Sequence, residues 1–172
     1  MLPRSQLKNI PYFLIVPLSL DQGWKDLKYS SIPKNRVEEK EDALVIKVNK
    51  SAGPLAWPLS SPQTFKTLIV KGEVKGGLKL KSKQGQEKND DFAVRVGVVY
   101  RGDETLNWAQ RLIAPSWVKE LHSLAQGDQG ISQIYFYNLA QKGHAPEWES
   151  RVHPLSELLR EKIVGSLPSK GG

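Results

Sequence analysis

Cysteine is absent from this 172-residue chain. That excludes a disulfide framework, a thiolate zinc site, an iron–sulfur cluster and a cysteine nucleophile. No apolar run approaches the roughly 20 residues a membrane-spanning helix needs. Histidine is scarce: His122, His144 and His153 are the whole set, and none has a metal spacing such as His-Glu-x-x-His. His144 with Glu147 and His153 forms at most a weak metal or acid–base grouping. A Gly-x-Ser-x-Gly elbow, a phosphate-binding glycine loop and a dinucleotide fingerprint are missing as well. Two acids on facing strands leave no sequence signature, so glycoside cleavage stays open. The expectation is a chain with no catalytic set, no metal and no cofactor.

What is present suffices for a folded domain. Hydrophobic residues make up 39% of the chain and charge is mixed, so a core is expected and disorder is not. No linker or internal repeat divides residues 1–172, which predicts a single domain. The formal charge is +7. Most of the excess lies between Lys66 and Lys88, where seven lysines face only Glu73 and Glu87. Within that stretch Leu78 to Lys83 alternates with period two, which on a strand turns leucines inward and lysines to water. Lys71, Lys75, Lys79, Lys81 and Lys83 therefore make either a solvated, edge-protecting face or a surface for an acidic partner. Without arginine clusters or interleaved aromatics, nucleic acid is not an expected partner.

At the amino end Arg4 and Lys8 precede the apolar run Ile10 to Leu20, which has the outline of a secretory signal. Pro11 and Pro17 interrupt a helical h-region, and no small-x-small site follows before Asp21. Residues 1–20 thus read as a degenerate signal or as a first strand.

Frequent turn residues and short apolar runs point to strands. Trp24–Tyr29, Arg36–Glu39, Ala43–Asn49, Leu55–Leu59, Thr67–Val74 and Gly77–Lys83 are candidates, the last two joined by a hairpin at Gly76-Gly77. Phe92–Tyr100 is the strongest, with Phe92, Val94, Val96, Val98 and Tyr100 on the expected core face and Asp91, Ala93, Arg95, Gly97 and Val99 on the other. Leu106–Ile113, Ile131–Asn138 and Trp148–Val152 follow. A helix is predicted over Pro115–Ala125, with Trp117, Leu121 and Leu124 on one face and Gly127 beyond its end. A second is predicted over 153–165, where Leu155, Leu158, Leu159 and Ile163 recur at helical spacing. Residues 166–172 read as a flexible tail. The expected class is all-β: an antiparallel two-sheet sandwich with one or two short helices in the C-terminal third.

Gly23-Trp24, Ser51-Ala52-Gly53-Pro54-Leu55 and Asn89-Asp90-Asp91-Phe92-Ala93-Val94-Arg95-Val96, in this order and spacing, resemble a bacterial family of predicted exported proteins, domain of unknown function three-zero-four-seven. The resemblance covers roughly residues 20 to 101 and extends more loosely through Tyr135–Asn138 and Arg151. It implies a jelly-roll sandwich similar to carbohydrate-binding modules and a periplasmic or exported location. The ending departs from the family's Trp-x-x-Glu-x-Arg-Asp pattern, appearing only as Trp148-Glu149-Ser150-Arg151-Val152-His153.

Two residue sets are candidate sites. Asp91 and Arg95 share a strand face, but four residues span about 13 Å, so each needs a partner elsewhere. Arg95 either pairs with a carboxylate on a neighbouring strand, or joins Asp90 and Asp91 as the floor of a polar groove. Asp90 and Asp91 at a loop also suit calcium, for which the remaining oxygens are not visible. Among the tryptophans, Trp117 reads as core and Trp24 as an end plug, while Trp57 and Trp108 are the better stacking platforms for a sugar. The leading reading is an exported, non-catalytic module binding a saccharide-like ligand or an envelope protein. The alternatives are a structural component of a larger assembly acting through the lysine face, and a hydrolase on the same scaffold.

Overall fold

The computed structural model describes residues 14–86, 89–102, 116–124, 130–154 and 156–168. They fall into two compact units, one within residues 1–60 and 115–120, the other within 61–114 and 121–172.

The first unit is built from two ribbons. Strands β1 (Lys25–Asp26) and β4 (Leu55–Ala56) pair antiparallel, as do β2 (Arg36–Lys40) and β3 (Ala43–Lys47). The second ribbon closes on Glu41 and Asp42, and Glu41 takes a left-handed φ of 55°, as tight hairpins require. Across it Glu38 accepts from Lys47 at 2.7 Å, and along β2 it pairs with Arg36 at 2.6 Å. Leu27 is buried, and so is Trp117, whose ring meets Tyr29 edge-on at 6.2 Å. Trp117 belongs to helix α1 (Ser116–Leu124), the helix expected there. Among the described residues no helix is long and apolar enough to cross a membrane.

The second unit carries a four-stranded sheet in the order β5-β6-β8-β7, made by β5 (Val94–Gly102), β6 (Gly130–Gln141), β7 (Ser150–His153) and β8 (Ser156–Leu167). Strands β5 and β7 run antiparallel to their neighbours, but β6 and β8 are parallel. The wholly antiparallel expectation therefore fails at this one pair. A parallel pair needs a crossover of a dozen or more residues. Residues 142–155 supply it, and they use it to lay β7 along the far edge of β8.

The helix expected over 153–165 is strand β8, which runs on into the supposed tail as far as Leu167. Leu158, Leu159 and Ile163 do sit at helical spacing. Even so, burial along the segment alternates, with Leu159 and Glu161 inside and Glu157, Lys162 and Val164 outside. Ladders on both sides outweigh a weak helical pattern of four apolar residues.

The strands expected at Thr67–Val74 and Gly77–Lys83 are also corrected, because no described residue from 66 to 83 joins a ladder. Leu78 has its N–H bonded to Gln141 Oε1 at 2.8 Å and its carbonyl to Gln141 Nε2 at 2.9 Å. One glutamine side chain stands where a strand would have paired. The inward leucines and outward lysines survive without a ladder: Leu78 and Leu80 are half-buried, and Lys79, Lys81 and Lys83 are exposed.

Most of the buried residues of β6 and β8 lie on the sheet face opposite the one predicted as core along β5. Ile134, Asn138, Ala140, Leu159 and Glu161, on β6 and β8, are buried on the side shared with Arg95; along β5 itself Val94, Val96 and Val98 are half-buried, while Tyr100 on their face and Gly97 and Val99 on Arg95's face are exposed. The strand expected at 106–113 lies outside the described residues, as do residues 1–13, Trp108, Gly127, Leu155 and the tail from 169.

Candidate functional site

Strand register assembles the inner face of the sheet. Gly97, Phe136, Glu161 and Arg151 stand side by side across β5, β6, β8 and β7, and Arg95 and Asn138 pair in the neighbouring row. This alignment brings four charges and an imidazole together. Glu161 has a fully buried side chain, with Oε2 receiving Arg151 at 2.7 Å and Oε1 receiving Arg95 at 3.2 Å and Asn138 at 3.2 Å. Asp90, from the loop before β5, takes Arg151 at 2.5 Å, His153 at 3.0 Å and Arg95 at 3.4 Å. Both guanidiniums lie over rings: Arg151 is 4.3 Å from the Trp148 centroid, and Arg95 is 5.0 Å from Phe92 and 5.4 Å from Phe136. Arginine suits this role because its planar group can stack on a ring while its edge donates to carboxylates.

Two carboxylates thus face two guanidiniums. Asp90, His153 and Glu161 could each offer one metal-ligating atom, all within 4.8 Å of one another. Both carboxylates are already held by arginines, however, and a divalent cation there would stand against two positive charges. The arrangement is chemically a closed ion-pair cluster. Two of its polar atoms, Arg95 Nε and Asn138 Oδ1, are buried without a hydrogen-bond partner.

Burial by itself raises the Asp90 carboxyl. The His153 hydrogen bond and the charges of Arg95 and Arg151 outweigh it and hold the group below its ordinary value of 3.8. A carboxylate lowered on folding stabilises above its unfolded value, and the stabilisation is lost as pH falls through the lower folded one. Asp90→Asn is therefore expected to be less stable than the parent at pH 7, with the two converging as pH drops below about 4. Urea titrations at a series of pH values check this, and a stability gap unchanged at pH 2.5 would count against it.

The expected site residues separate. Asp90 and Arg95 come together as partners through Glu161 and Arg151. Asp91 does not join them: its side chain is exposed, and its carbonyl accepts from Gln84 at 2.6 Å. Trp57 lies in the other unit, where its indole N–H donates to the Gln22 carbonyl at 2.9 Å. The five lysines are exposed, with Lys83 bonded to Glu147 at 2.8 Å and Lys75 lying 3.6 Å from Glu73. The grouping of His144, Glu147 and His153 divides, since His144 bonds the Ser82 carbonyl, Glu147 takes Lys83 and His153 takes Asp90. Glu161 and Asn138 carried no warning in the sequence, because they sat in segments read as a helix surface and a strand end.

The outer face differs in character. The rows Val98-Tyr135-Arg160-Val152 and Val96-Tyr137-Lys162-Ser150 run across the four strands. Tyr135 and Tyr137 stack with centroids 6.5 Å apart and planes 22° from parallel, and Tyr100 meets Tyr135 edge-on at 5.5 Å. Partial desolvation foremost, then the Tyr137 and Tyr135 phenols, raises the Tyr100 hydroxyl above its usual value of 10.0. Tyr135, Tyr137, Ser150, Val152, Arg160 and Lys162 line an open groove of about 500 Å³, together with Arg151 and Glu161, whose side chains are engaged in the inner-face cluster. Neither tyrosine pair nor groove was anticipated, although Tyr135 and Tyr137 lay two apart on a recognised strand.

Compared with protein-family models, curated proteins and solved structures, the chain matches none of them.

Proposed function

We propose that this protein is a non-catalytic binding module whose outer sheet face receives a saccharide-like ligand. The observation that carries the reading is the tyrosine row, in which Tyr100, Tyr135 and Tyr137 stand together beside an open groove. Phenol rings offer apolar faces for the C–H surfaces of sugars and hydroxyls for their oxygens, a combination typical of ligand grooves. The platform is thus tyrosine and lies on β5 and β6, in place of the tryptophans favoured from sequence.

The proposal extends to the family. Asp90 and Arg95, from the stretch Asn89–Val96 that carries the resemblance to domain of unknown function three-zero-four-seven, meet in one ion-paired cluster with Arg151, whose guanidinium lies over Trp148. That meeting supports reading the motif as a folding signature; the jelly-roll architecture and exported location come from the resemblance itself. Titrating the protein with a panel of oligosaccharides while following intrinsic fluorescence tests the binding reading. Saturable binding that weakens at least about tenfold in Tyr137→Ala is expected, since stacking contacts contribute on that order. An absence of response to every sugar in the panel would remove it.

A second reading is favoured by one separate observation. Ile69 and Val70 are 74% and 63% exposed in a stretch without a ladder of its own, flanked by Lys66, Lys71 and Lys75. Such a segment suits strand addition to an acidic protein partner. A pull-down signal that fades as salt rises, and is lost in Ile69→Lys, would support it.

A further inference from the structure

We infer that the ligand of the tyrosine face is an acidic saccharide, gripped through its anionic group by the Arg160 guanidinium. This rests on the platform reading and specifies its substrate class.

The two sheet faces treat their arginines differently. On the inner face Arg95 and Arg151 are each matched by Asp90 and Glu161. On the outer face Arg160 pairs with no carboxylate among the described residues, and its Nη1 is buried without any hydrogen-bond partner. Arg160 is nevertheless one of the residues lining the groove, in register with its cross-strand neighbours Tyr135 and Val152. Lys162, two residues along on the same face, adds a second cation. The acid nearest it is Glu149, 3.9 Å away at the limit of an ion pair and itself well exposed. Glu161, the acid between the two cations in sequence, points to the opposite face and is consumed there.

The groove is consequently aromatic and cationic, with an arginine whose donors exceed its acceptors. A neutral sugar satisfies the rings and leaves the guanidinium unmatched. A carboxylate or sulfate on the sugar accepts from it in the planar, two-pronged geometry arginine favours, once the side chain turns towards the groove. The overall charge of +7 favours the approach of a polyanion.

Calorimetric titration of the full chain tests this with four probes: an oligogalacturonate for carboxylate, a heparin-derived oligosaccharide for sulfate, a neutral glucan oligomer of equal length, and a single-stranded RNA. The expected result is that at least one acidic sugar binds about tenfold or more tighter than the glucan, in line with hydrogen bonds to a charged group. Arg160→Gln should erase that preference, bringing the acidic sugars level with the glucan, and Arg160→Lys should keep part of it. Circular dichroism of each variant establishes that it is folded, and Lys162→Gln serves as a second variant should Arg160→Gln fail to fold. Equal binding of glucan and acidic sugars, or an undiminished preference in the variants, overturns this inference and leaves the platform reading standing. RNA binding tighter than every sugar overturns the saccharide assignment. If no sugar binds at all, both readings fall together.

Discussion

Glu161→Gln is expected to destabilise the sheet unit by about 3–5 kcal/mol, the usual cost of breaking a buried ion pair from one side. The substitution is nearly isosteric, so the loss reports charge and not volume. Glu161 is the only charged residue of the cluster whose side chain is fully buried, and it receives both arginines. Neutralising it leaves Arg151 and Arg95 sharing Asp90 alone, with one guanidinium's charge uncompensated away from water. Pairing Glu161→Leu with Arg151→Met should recover most of that loss, because Asp90 then faces Arg95 and His153 in a set that is again balanced, and apolar replacements of buried pairs are often close to neutral. Urea denaturation combined with hydrogen exchange at the β6 amides measures both variants. A Glu161→Gln protein within about 1 kcal/mol of the parent would show that the cluster is solvated in a way its burial does not suggest.

The second large effect is expected at Gly85, and it reaches the cluster through Trp148. Gly85 has φ +75°, and a Cβ placed there would lie 2.5 Å from Trp148 Cζ2 and 2.9 Å from both Cε2 and Nε1. Its carbonyl also accepts from Arg151 at 2.5 Å. Gly85→Ala therefore combines left-handed strain, about 1–2 kcal/mol for a residue with a Cβ, with the overpacking cost of moving an indole, for a total of about 2–4 kcal/mol. Displacing the ring also separates it from the guanidinium it covers. Gly143→Ala is the internal control, since Gly143 has φ +83° with nothing within 4 Å of its would-be Cβ, so only the strain should register. Equal losses at the two sites would mean that Trp148 yields freely and does not hold Arg151 in place.

Parts of this molecule were readable in advance, and they share a physical cause. Strands β2, β3, β5 and β6 and helix α1 with its buried Trp117 all follow from interactions between residues near in sequence. Period-two alternation, β-branched runs and a proline before a helix act over a few residues and carry their own signal. The pairing of Arg95 with a carboxylate was legible in kind, because a lone arginine on a strand face needs a counter-charge. Its identity was not, since Glu161 lies 66 positions away and its own segment resembled a helix.

The face inversion shows why. Along β5 the valines look like core and Arg95 looks like surface, a correct inference for a charge considered alone. Glu161, Arg151 and Asp90 arrive from β8, β7 and the preceding loop, and together they cancel the charge that would have kept Arg95 in water. The same reasoning covers Gln141, whose side-chain amide takes the backbone bonds of Leu78 and so removes a strand that alternation alone would have formed.

The amino-acid sequence by itself determined that this chain is strand-rich, lacks every thiol-based chemistry and carries an excess of positive charge, because composition and short-range periodicity do not depend on partners. Only the tertiary structure decided which sheet face is interior, that β8 is a strand, and that tyrosines beside Arg160 line the groove. Those outcomes depend on ladders and charge pairings between distant segments, whose free energy exists only once the segments have met.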